Sequence, residues 1–525
     1  MNRLVGQESE LQRRIRDPRL HSKIMDAADT VSLFRDGMYL GFSGFAEGHP
    51  KTVPGLLADH VEHNGLAGKM RFNVFTGASI GTDVDNRWAR LGMLDRRWPH
   101  QQGTSIRQAI NEGTVNFGDR HLSMFAQDFG YGFYTMDNGG RLDIGIIEAS
   151  CITEDGGVVP TLAVGIAAEV MARADRIIIE INTKIPSFEG LHDCLSFEVP
   201  PHKNIYPIRT VTDRIGTTSM PCDRNKIVAI VESCKDPVGR PLGPSDKKSE
   251  LIAGHIISFL HNEVKNGRLP KNLLPLQSGV GSIANAVFGG LLKSTFENLT
   301  VWTEVFQDNL MDLFDAGKLE SVSAASFSLT QAGLKRLFEN WEKYTKNTIL
   351  RPIQITNHPE PIRRLGLISM NTPIEFDLYA HVNSTLVNGS RMLNGIGGSG
   401  EFMRNAYLSI MHTPSTRPSK NDPDGISCVV PMVPHVDHTE HDMDVLVTEQ
   451  GLADLRGLAP RQRAQKIIDT CVHPDYKPIL QDYFNRATRE CQARASGHEP
   501  HMLYKVFNMQ KNLDENGTMK ITNWN

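Results

Sequence analysis

Asp143-Ile-Gly-Ile-Ile-Glu148 is a short, continuous apolar run, and Arg176-Ile-Ile-Ile-Glu-Ile181 is a second one. Runs of this length with few polar residues are typical of strands in a sheet that is buried on both faces. Through the first two-thirds of the chain, such runs alternate with glycine turns and amphipathic helical stretches. Strand-then-helix alternation predicts an α/β fold with mainly parallel sheets flanked by helices.

A second series of strands and helices begins near Lys226-Ile-Val-Ala-Ile-Val231. The stretch from Asp236 to Ser245 is rich in proline and glycine and is typical of a linker or a lid. We therefore predict two α/β domains, residues 1–230 and residues 231–525, of which the second carries Glu304. A charged helical tail from about residue 458 is expected to pack on the surface of the second domain.

The composition describes an ordinary soluble globular protein of 525 residues, with 40% apolar and 22% charged residues. The net charge of -4 gives no basic footprint for nucleic acid and no polybasic patch for a membrane. The seven cysteines are scattered and show no C-x-x-C spacing, which predicts reduced thiols. We expect a cytoplasmic protein, with mitochondria as the alternative if the source is eukaryotic.

A single carboxylate, Glu304, lies in an apolar, strand-like run that extends from Leu299 to Phe306. A glycine loop, Gly279-Val-Gly281, precedes it by about twenty residues. A carboxylate at the end of a buried strand loses solvation, so its neutral form is favoured unless a cation or hydrogen-bond donors hold the charge. Glu304 is therefore a candidate reactive group.

The same glycine loop allows two other interpretations. Gly279-Val-Gly281-Ser-Ile-Ala284 fits the G-x-G-x-x-A form of a dinucleotide-binding turn, and Glu304 then falls about where a ribose-binding acid is expected. The upstream strand this requires would contain Pro275, which argues against a central strand. A strand–helix turn without any ligand is the second interpretation.

A further glycine-rich stretch runs from Asn394 to Phe402. Its glycines at positions 395, 397 and 400 again satisfy the G-x-G-x-x-G pattern, which is weak on its own. Such a loop brings backbone N–H groups close to an anion or an oxyanion, whereas a flexible structural turn would need no ligand.

Residues 435–442 hold three histidines and three acids, which at first suggests a metal cluster. Their spacing matches no motif with a known mechanism, so we predict no metal site and expect a polar loop beside a substrate site. Glu449 follows the next predicted strand. It is interpreted either as a second acid that raises the pKa of Glu304 or as an acid at a helix N-terminus.

Taken together, these motifs resemble class I CoA-transferases of the acetyl-CoA hydrolase/transferase branch, which includes succinyl-CoA:acetate CoA-transferases. The chain has no P-loop that would favour another class of enzyme. Two departures stand out, because Ala46-Glu-Gly-His49 replaces a glycine-richer loop and Ser282 stands where many relatives carry asparagine. The matching stretches are Gly44-Phe45 with Pro50-Lys51, Leu276-Gln-Ser-Gly-Val-Gly281, Thr303-Glu-Val305, Asn394-Gly-Ile-Gly-Gly398 and Thr448-Glu-Gln-Gly-Leu-Ala-Asp-Leu455.

The resemblance implies two tandem domains of the NagB/RpiA/CoA-transferase type and assigns a role to each matching residue. Glu304 is the expected nucleophile, and Asn357 is expected to orient the bound thioester. Val280 and Gly398 are the expected backbone donors of an oxyanion hole, and Glu449 is the expected second acid of the active site. The loops expected to contact CoA contribute Gly279, Gly281, Gly395, Gly397 and Gly398.

The implied activity is transfer of CoA between acetyl-CoA or succinyl-CoA and a short carboxylate such as acetate, succinate or propionate. An acyl-glutamyl anhydride and a glutamyl-CoA thioester are the implied intermediates, and acetyl-CoA hydrolysis is the implied side activity. The alternatives are a true acetyl-CoA hydrolase, a nucleotide-cofactor oxidoreductase and a non-enzymatic CoA-binding regulator.

The resemblance implies no metal and no cofactor besides CoA as substrate. It also suggests a homodimer or a higher homo-oligomer, and no nucleic-acid or membrane partner is expected. Arg240 could pair with a carboxylate of succinate, but a solvated linker arginine is the interpretation we favour.

Overall fold

Residues 8–201, 203–240, 243, 245–419 and 421–524 are described by the structure, which is a computed structural model. The chain divides into two compact units, each drawn from three stretches of sequence. Unit 1 comprises Met1–Pro241, Val301–Met311 and Ser321–Leu365, and unit 2 comprises Leu242–Thr300, Asp312–Glu320 and Gly366–Asn525. Glu304 thus belongs to unit 1, whereas the predicted boundary at residues 230 and 231 groups it with the C-terminal part of the chain.

The described residues of the first part of the chain form eight strands and six α-helices. The strands are β1 (Tyr39–Phe42), β2 (Phe72–Phe75), β3 (Leu94–Trp98), β4 (Asn116–Phe117), β5 (Leu142–Ile152), β6 (Val158–Pro160), β7 (Ala174–Asn182) and β8 (Ile227–Ser233). The helices are α1 (Glu10–Arg14), α2 (Thr52–His63), α3 (Thr82–Arg90), α4 (Thr104–Asn111), α5 (Leu122–Gly130) and α6 (Ala167–Arg173).

The remaining chain holds α7 (Lys247–Lys265), α8 (Ser282–Lys293), α9 (Asp308–Asp315), α10 (Gln331–Glu339), α11 (Trp341–Thr345), α12 (Ile353–Thr356), α13 (Pro359–Leu365), α14 (Ser399–Asn405), α15 (Pro460–Thr470), α16 (Lys477–Ala493) and α17 (Asn508–Asn516). Its first strands are β9 (Leu276–Ser278), β10 (Leu299–Trp302), β11 (Val305–Phe306), β12 (Leu319–Ala324), β13 (Ser326–Phe327), β14 (Thr348–Leu350), β15 (Ile368–Asn371), β16 (Glu375–Asp377) and β17 (Val382–Asn383). Its last strands are β18 (Leu386–Val387), β19 (Arg391–Met392), β20 (Leu408–His412), β21 (Thr416–Arg417), β22 (Ile426–Ser427), β23 (Val429–Val430), β24 (Val445–Thr448) and β25 (Gly451–Asp454). Short 3-10 helices span Pro18–Lys23, Ala27–Leu33, Phe133–Asn138, Arg224–Lys226 and Glu440–Asp442.

The main sheet of unit 1 confirms the prediction of buried parallel strands. Its strand order is β4-β3-β2-β1-β5-β7-β8, and β6 lies antiparallel to β5. The two predicted runs form β5 and β7, which pair in parallel with Ile146 opposite Ile178. Both isoleucines are fully buried, as expected for strands covered on both faces. The same register sets Glu148 opposite Glu180 near the carboxyl ends of the two strands.

Parallel pairing also dominates the rest of the fold. In unit 2, β9, β15, β20 and β24 are parallel neighbours in that order, and β25 closes the edge in antiparallel pairing with β24. In unit 1, β12 pairs with β14 and β11 pairs with β13, both in parallel. These short strands position Glu304, because it directly precedes β11.

The C-terminal tail does not merely pack on the surface of unit 2, so the prediction from the sequence is wrong. Its helices α15 to α17 supply Ile467, Tyr483 and Met509 to a core cluster of unit 2, and Trp524 is buried in the same cluster. Charged residues on the outer helix faces mask this apolar content in the sequence. The tail is therefore part of the hydrophobic core.

Two further properties match the composition. Within the described residues, no helix is both long enough and apolar enough to cross a membrane. All seven cysteines are unpaired, and five of them are buried.

Candidate active site

Glu304 lies in the bend between β10 and β11. Its own carbonyl oxygen accepts hydrogen bonds from the backbone N–H groups of Ala325 (2.9 Å) and Ser326 (3.2 Å). The preceding residue is fixed in the same way, because Thr303 N–H donates to the carbonyl of Ser323 at 2.9 Å. The backbone on both sides of the carboxylate is thus held by β12 and β13, which gives the side chain a defined origin.

The carboxylate of Glu304 is contacted by Asn357. Asn357 is fully buried, caps the C-terminus of α12 and donates from its side-chain nitrogen to Glu304 Oε2 at 3.3 Å. Its side-chain oxygen accepts from the hydroxyl of Thr356 at 2.8 Å, which fixes the amide with its nitrogen toward Glu304. The indole N–H of Trp302 donates to the carbonyl of Thr356 at 2.8 Å and ties β10 to α12.

Burial controls the protonation of Glu304. The side chain keeps some accessible surface, but it is surrounded by protein, and this burial raises its pKa to about 7. The hydrogen bond from Asn357 opposes that rise because it stabilises the charged form. The result is a carboxylate poised between its two protonation states near neutral pH, as reactive groups often are.

The loop after β1, residues 43–51, is held by a buried ion pair. Lys51 Nζ lies 2.9 Å from Glu148 Oε1, and both side chains are almost completely buried. The same ammonium donates to the carbonyl oxygens of Glu47 and His49, each at 2.7 Å. Glu180, on the neighbouring strand, accepts three backbone N–H groups at the start of α2. Two carboxylates of the main sheet thus hold the end of the loop that leads into α2.

This loop packs on Ala163, which connects it to the strands beside Glu304. A Cβ at Gly48 would lie 2.4 Å from the backbone nitrogen of Ala163, so only glycine allows the observed approach. Ala163 forms an antiparallel bridge with Ser326, whose N–H donates to the carbonyl of Glu304. Within unit 1, a continuous set of contacts therefore connects Gly48 to the backbone of Glu304.

Glu47 and Arg240 are two charged groups of unit 1 whose environment the sequence did not reveal. Glu47 is 8% exposed, and its Oε2 has no hydrogen-bond partner among the described residues. Burial raises the pKa of Glu47 to about 7, while the charge of Arg240 opposes that rise. The expectation of a solvated linker arginine is wrong, because Arg240 is partly buried and its backbone N–H donates to the carbonyl of Leu329 at 2.8 Å.

The first predicted glycine loop lies in unit 2 and joins β9 to α8. A strand does precede it, since Pro275 falls just outside β9. Gly281 has φ of +127° and forms the N-cap of α8, so the loop needs glycine there. The N–H of Gly279 donates to the carbonyl of Met370 and is thereby engaged in the sheet. The hydroxyl of Ser282 accepts a hydrogen bond from Ser249 at 3.2 Å, which is the packing role of this departure.

The second glycine loop also lies in unit 2 and leads into α14. Gly395 and Gly397 have φ of +114° and +60°, and Gly398 is the N-cap of the helix. Across the described ranges, neither the N–H of Gly398 nor that of Val280 donates a hydrogen bond to a protein acceptor. Both predicted oxyanion donors are therefore backbone N–H groups next to a helix N-terminus, which is where anions are favoured.

Glu449 lies in a β-hairpin rather than at a helix N-terminus. Thr448 pairs with Gly451 across the turn between β24 and β25, so the helical interpretation is wrong. Its carboxylate accepts hydrogen bonds from the N–H of Ser415 (2.7 Å) and from the hydroxyl of Ser415 (2.6 Å). Lys248 Nζ lies 3.8 Å from the same carboxylate. The acid is thus held firmly in unit 2.

The polar stretch 435–442 forms hydrogen bonds within unit 2. His438 Nε2 lies 3.2 Å from the hydroxyl of Ser399, the first residue of α14. Among the residues that the structure describes, the group of side chains that could hold a metal ion is His381, Glu440 and Glu499. His381 already lies between Asp377 (3.1 Å) and Glu440 (2.8 Å). Burial lowers its pKa, but these carboxylates outweigh that effect and raise it to about 9, so a protonated imidazolium accounts for the cluster.

The structure brings Glu304 and Asn357 together within unit 1. Val280, Gly398 and Glu449 lie in unit 2, and their predicted roles remain predictions. The ion pair of Lys51 with Glu148 was missed by sequence reasoning. A signal was present, since Glu148 and Glu180 directly follow the isoleucines of the two apolar runs, and a buried charge there needs a partner.

Comparisons with known proteins show the family of the chain. Residues 9–232 match the family model of the acetyl-CoA hydrolase/transferase N-terminal domain, and residues 333–484 match that of the C-terminal domain. The chain is 54% identical over 519 residues to an acetyl-CoA hydrolase of Schizosaccharomyces pombe, covering 98% of this chain and 100% of that protein. It is 53% identical over 517 residues to an acetyl-CoA hydrolase of Saccharomyces cerevisiae, covering 98% of each.

Solved structures give the same fold. RipA from Yersinia pestis matches with a TM-score of 0.66 and 20% identity, covering 90% of this chain and 97% of RipA. A 4-hydroxybutyrate CoA-transferase from Porphyromonas gingivalis matches with a TM-score of 0.59 and 20% identity, covering 89% of this chain and 98% of that one. The sequence matches also favour CoA chemistry over a nucleotide-cofactor oxidoreductase. The chain therefore belongs to the acetyl-CoA hydrolase/transferase family and is an enzyme of that family.

Proposed function

We propose that this protein transfers CoA between a short acyl-CoA, acetyl-CoA or succinyl-CoA, and a short carboxylate, with Glu304 as the nucleophile. The observation that carries the proposal is the pair of Glu304 and Asn357. A carboxylate whose pKa burial raises to about 7 is less solvated than a surface acid and is a stronger nucleophile once ionised. Asn357 holds that carboxylate in one orientation at 3.3 Å.

The proposed first half-reaction forms a covalent enzyme. An oxygen of ionised Glu304 attacks the thioester carbonyl carbon, the carbon–sulfur bond breaks, and CoA thiolate leaves an acyl-glutamyl anhydride. The thiolate then attacks the side-chain carbonyl carbon of Glu304. The acyl group departs as a free carboxylate, and a glutamyl-CoA thioester remains on the enzyme.

The second half-reaction repeats these steps in reverse with another acid. The incoming carboxylate attacks the glutamyl carbonyl carbon, forming a new anhydride and releasing thiolate. Attack of the thiolate on the acyl carbonyl gives the new acyl-CoA and free Glu304. No proton is gained or lost, and each difficult exchange is divided into easier ones, so ping-pong kinetics are expected.

Each attack creates a tetrahedral oxyanion that needs hydrogen-bond donors. The N–H groups of Val280 and Gly398 are the proposed donors, which is supported by the absence of any described protein acceptor for either. Donors of this kind contribute on the order of 3–4 kcal/mol each to transition-state stabilisation. Glu449 is proposed as a second acid of the site.

A true acetyl-CoA hydrolase is the second candidate, because the curated relatives with 53–54% identity carry that name. Here water would replace the acceptor acid at the glutamyl carbonyl carbon. The two candidates share Glu304 and differ in whether an acceptor is needed. We further propose a homo-oligomeric, cytoplasmic enzyme that uses CoA as substrate and no separate organic cofactor.

The decisive experiment follows acetyl-CoA with and without succinate, measuring free thiol and succinyl-CoA separately. Transfer predicts succinyl-CoA without thiol release, and hydrolysis predicts thiol release at a rate independent of succinate. Intact-protein mass spectrometry of the same mixture should show a CoA adduct that maps to the peptide with Glu304. An adduct on another residue, or undiminished activity in Glu304→Gln, would refute the proposed nucleophile.

A further inference from the structure

Hydrolysis and transfer differ in one chemical requirement. An acceptor carboxylate attacks the glutamyl carbonyl carbon as an anion, whereas water must lose a proton as it attacks. A positioned general base typically accelerates such a step by about 10²–10⁴-fold. Hydrolysis by this fold therefore calls for a basic group near Glu304 that transfer does not need.

Glu47 is a buried carboxylate with unused capacity to accept a proton. It is 8% exposed, and its Oε2 has no hydrogen-bond partner among the residues described. The two buried carboxylates of β5 and β7 are engaged, since Glu148 accepts from Lys51 and Thr161, and Glu180 accepts three backbone N–H groups. Leaving a buried carboxylate oxygen unpaired costs stability, so it calls for a functional explanation.

The loop of Glu47 lies against the backbone that positions the nucleophile. Its neighbour Gly48 makes the close approach to Ala163, which bridges to Ser326, the residue that binds the Glu304 carbonyl. Asp308, four residues after Glu304, acts on the charge of Glu47 as well. Lys51 restrains the loop, because its ammonium donates a hydrogen bond to the backbone carbonyl of Glu47 at 2.7 Å.

We propose that Glu47 is the general base that activates water for hydrolysis of the Glu304-linked CoA thioester, and that it thereby sets the ratio of hydrolysis to transfer. This inference rests on the proposed function, because it requires the glutamyl thioester. Glu47 is also one of the residues that depart from the glycine-richer loop expected from the resemblance.

The water oxygen attacks the glutamyl carbonyl carbon while one of its protons moves to the Glu47 carboxylate. The carbon–sulfur bond then breaks, and the departing CoA thiolate takes that proton and leaves as free thiol. Glu304 is regenerated as a carboxylate, and the second proton of the water is released to solvent.

The charges that face Glu47 define its pH response. Burial raises its pKa to about 7, Arg240 and Lys51 favour the ionised form, and Asp308 disfavours it. A base must be ionised to act, so hydrolysis should gain relative to transfer as pH rises through about 7. Ionisation of Glu304 affects both reactions, and it therefore cancels in their ratio.

The test compares Glu47→Gln with the wild-type enzyme, using acetyl-CoA with and without succinate. We expect free-thiol release to fall by about 10²-fold and succinyl-CoA formation by less than about threefold. The ratio of the two rates should lose its rise near neutral pH, and Glu47→Asp should restore part of the hydrolysis. Glu169→Gln is the matched control, because Glu169 is fully buried in unit 1 with both carboxylate oxygens unpaired among the described residues and a pKa raised by burial to about 7.

Each result decides the question. The assignment would be overturned if Glu47→Gln lowered both activities in parallel or left the ratio of hydrolysis to transfer unchanged. It would also be overturned if Glu169→Gln changed that ratio equally, or if the wild-type enzyme released no thiol. Failure of the proposed function is seen separately, since Glu304→Gln would then retain succinyl-CoA formation in the same assay.

Discussion

The side-chain nitrogen of Asn357 lies 3.3 Å from Glu304 Oε2, and this contact opposes the effect of burial on the carboxylate. Burial favours the neutral acid, whereas the amide N–H favours the nucleophilic anion. The hydroxyl of Thr356 orients the amide from its other end. The reactivity of Glu304 near neutral pH thus depends on a hydrogen-bonded chain of three residues.

Removing the amide should move the pH profile of catalysis. In Asn357→Ala, the charged form of Glu304 loses its donor, so the pKa of Glu304 rises above about 7 and the rate should increase only at higher pH. We expect the maximal rate to fall by about tenfold, as for loss of a hydrogen bond to a charged group. Steady-state rates between pH 6 and 9 measure both effects. Thr356→Val should shift the pH profile of the rate toward higher pH as well, but by less. A shift toward lower pH in either variant would contradict the role assigned to this hydrogen-bonded chain.

Glu304 should cost the protein stability at the pH where it works. Its folded pKa of about 7 lies above the ordinary value of 4.5, so the folded state binds the proton more tightly. Stability is therefore lost as pH rises from about 4.5 through about 7, by up to about 3 kcal/mol before allowance for the solvent contact of the carboxylate. Glu304→Gln should melt at a higher temperature than wild type at pH 8 and at a similar temperature at pH 4.5. A variant less stable at pH 8 would show that the anion is stabilised in the fold.

The buried ion pair of the loop should be sensitive to loss of one partner. Lys51→Met removes the cation that neutralises Glu148 and frees two loop carbonyls, so the free energy of unfolding should fall by about 3–5 kcal/mol. Urea denaturation measures this, and Lys51→Met/Glu148→Gln should recover part of the loss. The control is Lys335→Met, whose exposed pair with Glu339 at 3.8 Å predicts a change within about 0.5 kcal/mol. Equal effects at the two lysines would contradict a structural role for the buried pair.

His381 should stabilise unit 2 only at low and neutral pH. Its folded pKa of about 9 exceeds the ordinary value of 6.5, so its contribution is complete below about 6.5 and is lost as pH rises through about 9. The melting temperature of His381→Gln should lie well below that of wild type at pH 6, and the gap should close by pH 10. His63→Gln, at the exposed end of α2, should leave the melting temperature unchanged across this range. A gap that stays constant with pH would indicate packing rather than charge.

Local patterns predicted the parts of the fold that depend on local composition. The runs around Ile146 and Ile178 became central strands because their isoleucines are buried on both faces of the sheet. The position of Glu304 beside a strand end followed from its apolar neighbours. Its partner Asn357 came only from the resemblance, because no periodicity links residues 53 positions apart.

The features that the sequence did not predict include contacts between residues far apart along the chain. Lys51 and Glu148 are separated by 97 residues, and only the parallel order of β1 and β5 brings their elements together. At Glu449 the error was local, because Gly451-Leu-Ala-Asp454 continues as a strand through pairing with β24 rather than as a helix. A short apolar stretch is ambiguous between these states until its neighbour is known.

The discontinuous make-up of unit 1 has a consequence for biosynthesis. Its strand pair β11 and β13 and the Asn357 segment belong to stretches that follow Leu242–Thr300 in the sequence. A ribosome that adds 5–20 residues per second needs about 6–25 s to proceed from residue 241 to residue 365. Until β11 and β13 have been made, the nascent chain contains the loop of Glu47 and Ala163 without the strands that hold the backbone of Glu304. The nucleophile and its supporting loop can therefore come together only late in synthesis. Unit 1 is incomplete during this interval, so its uncovered apolar surface is then available to a chaperone.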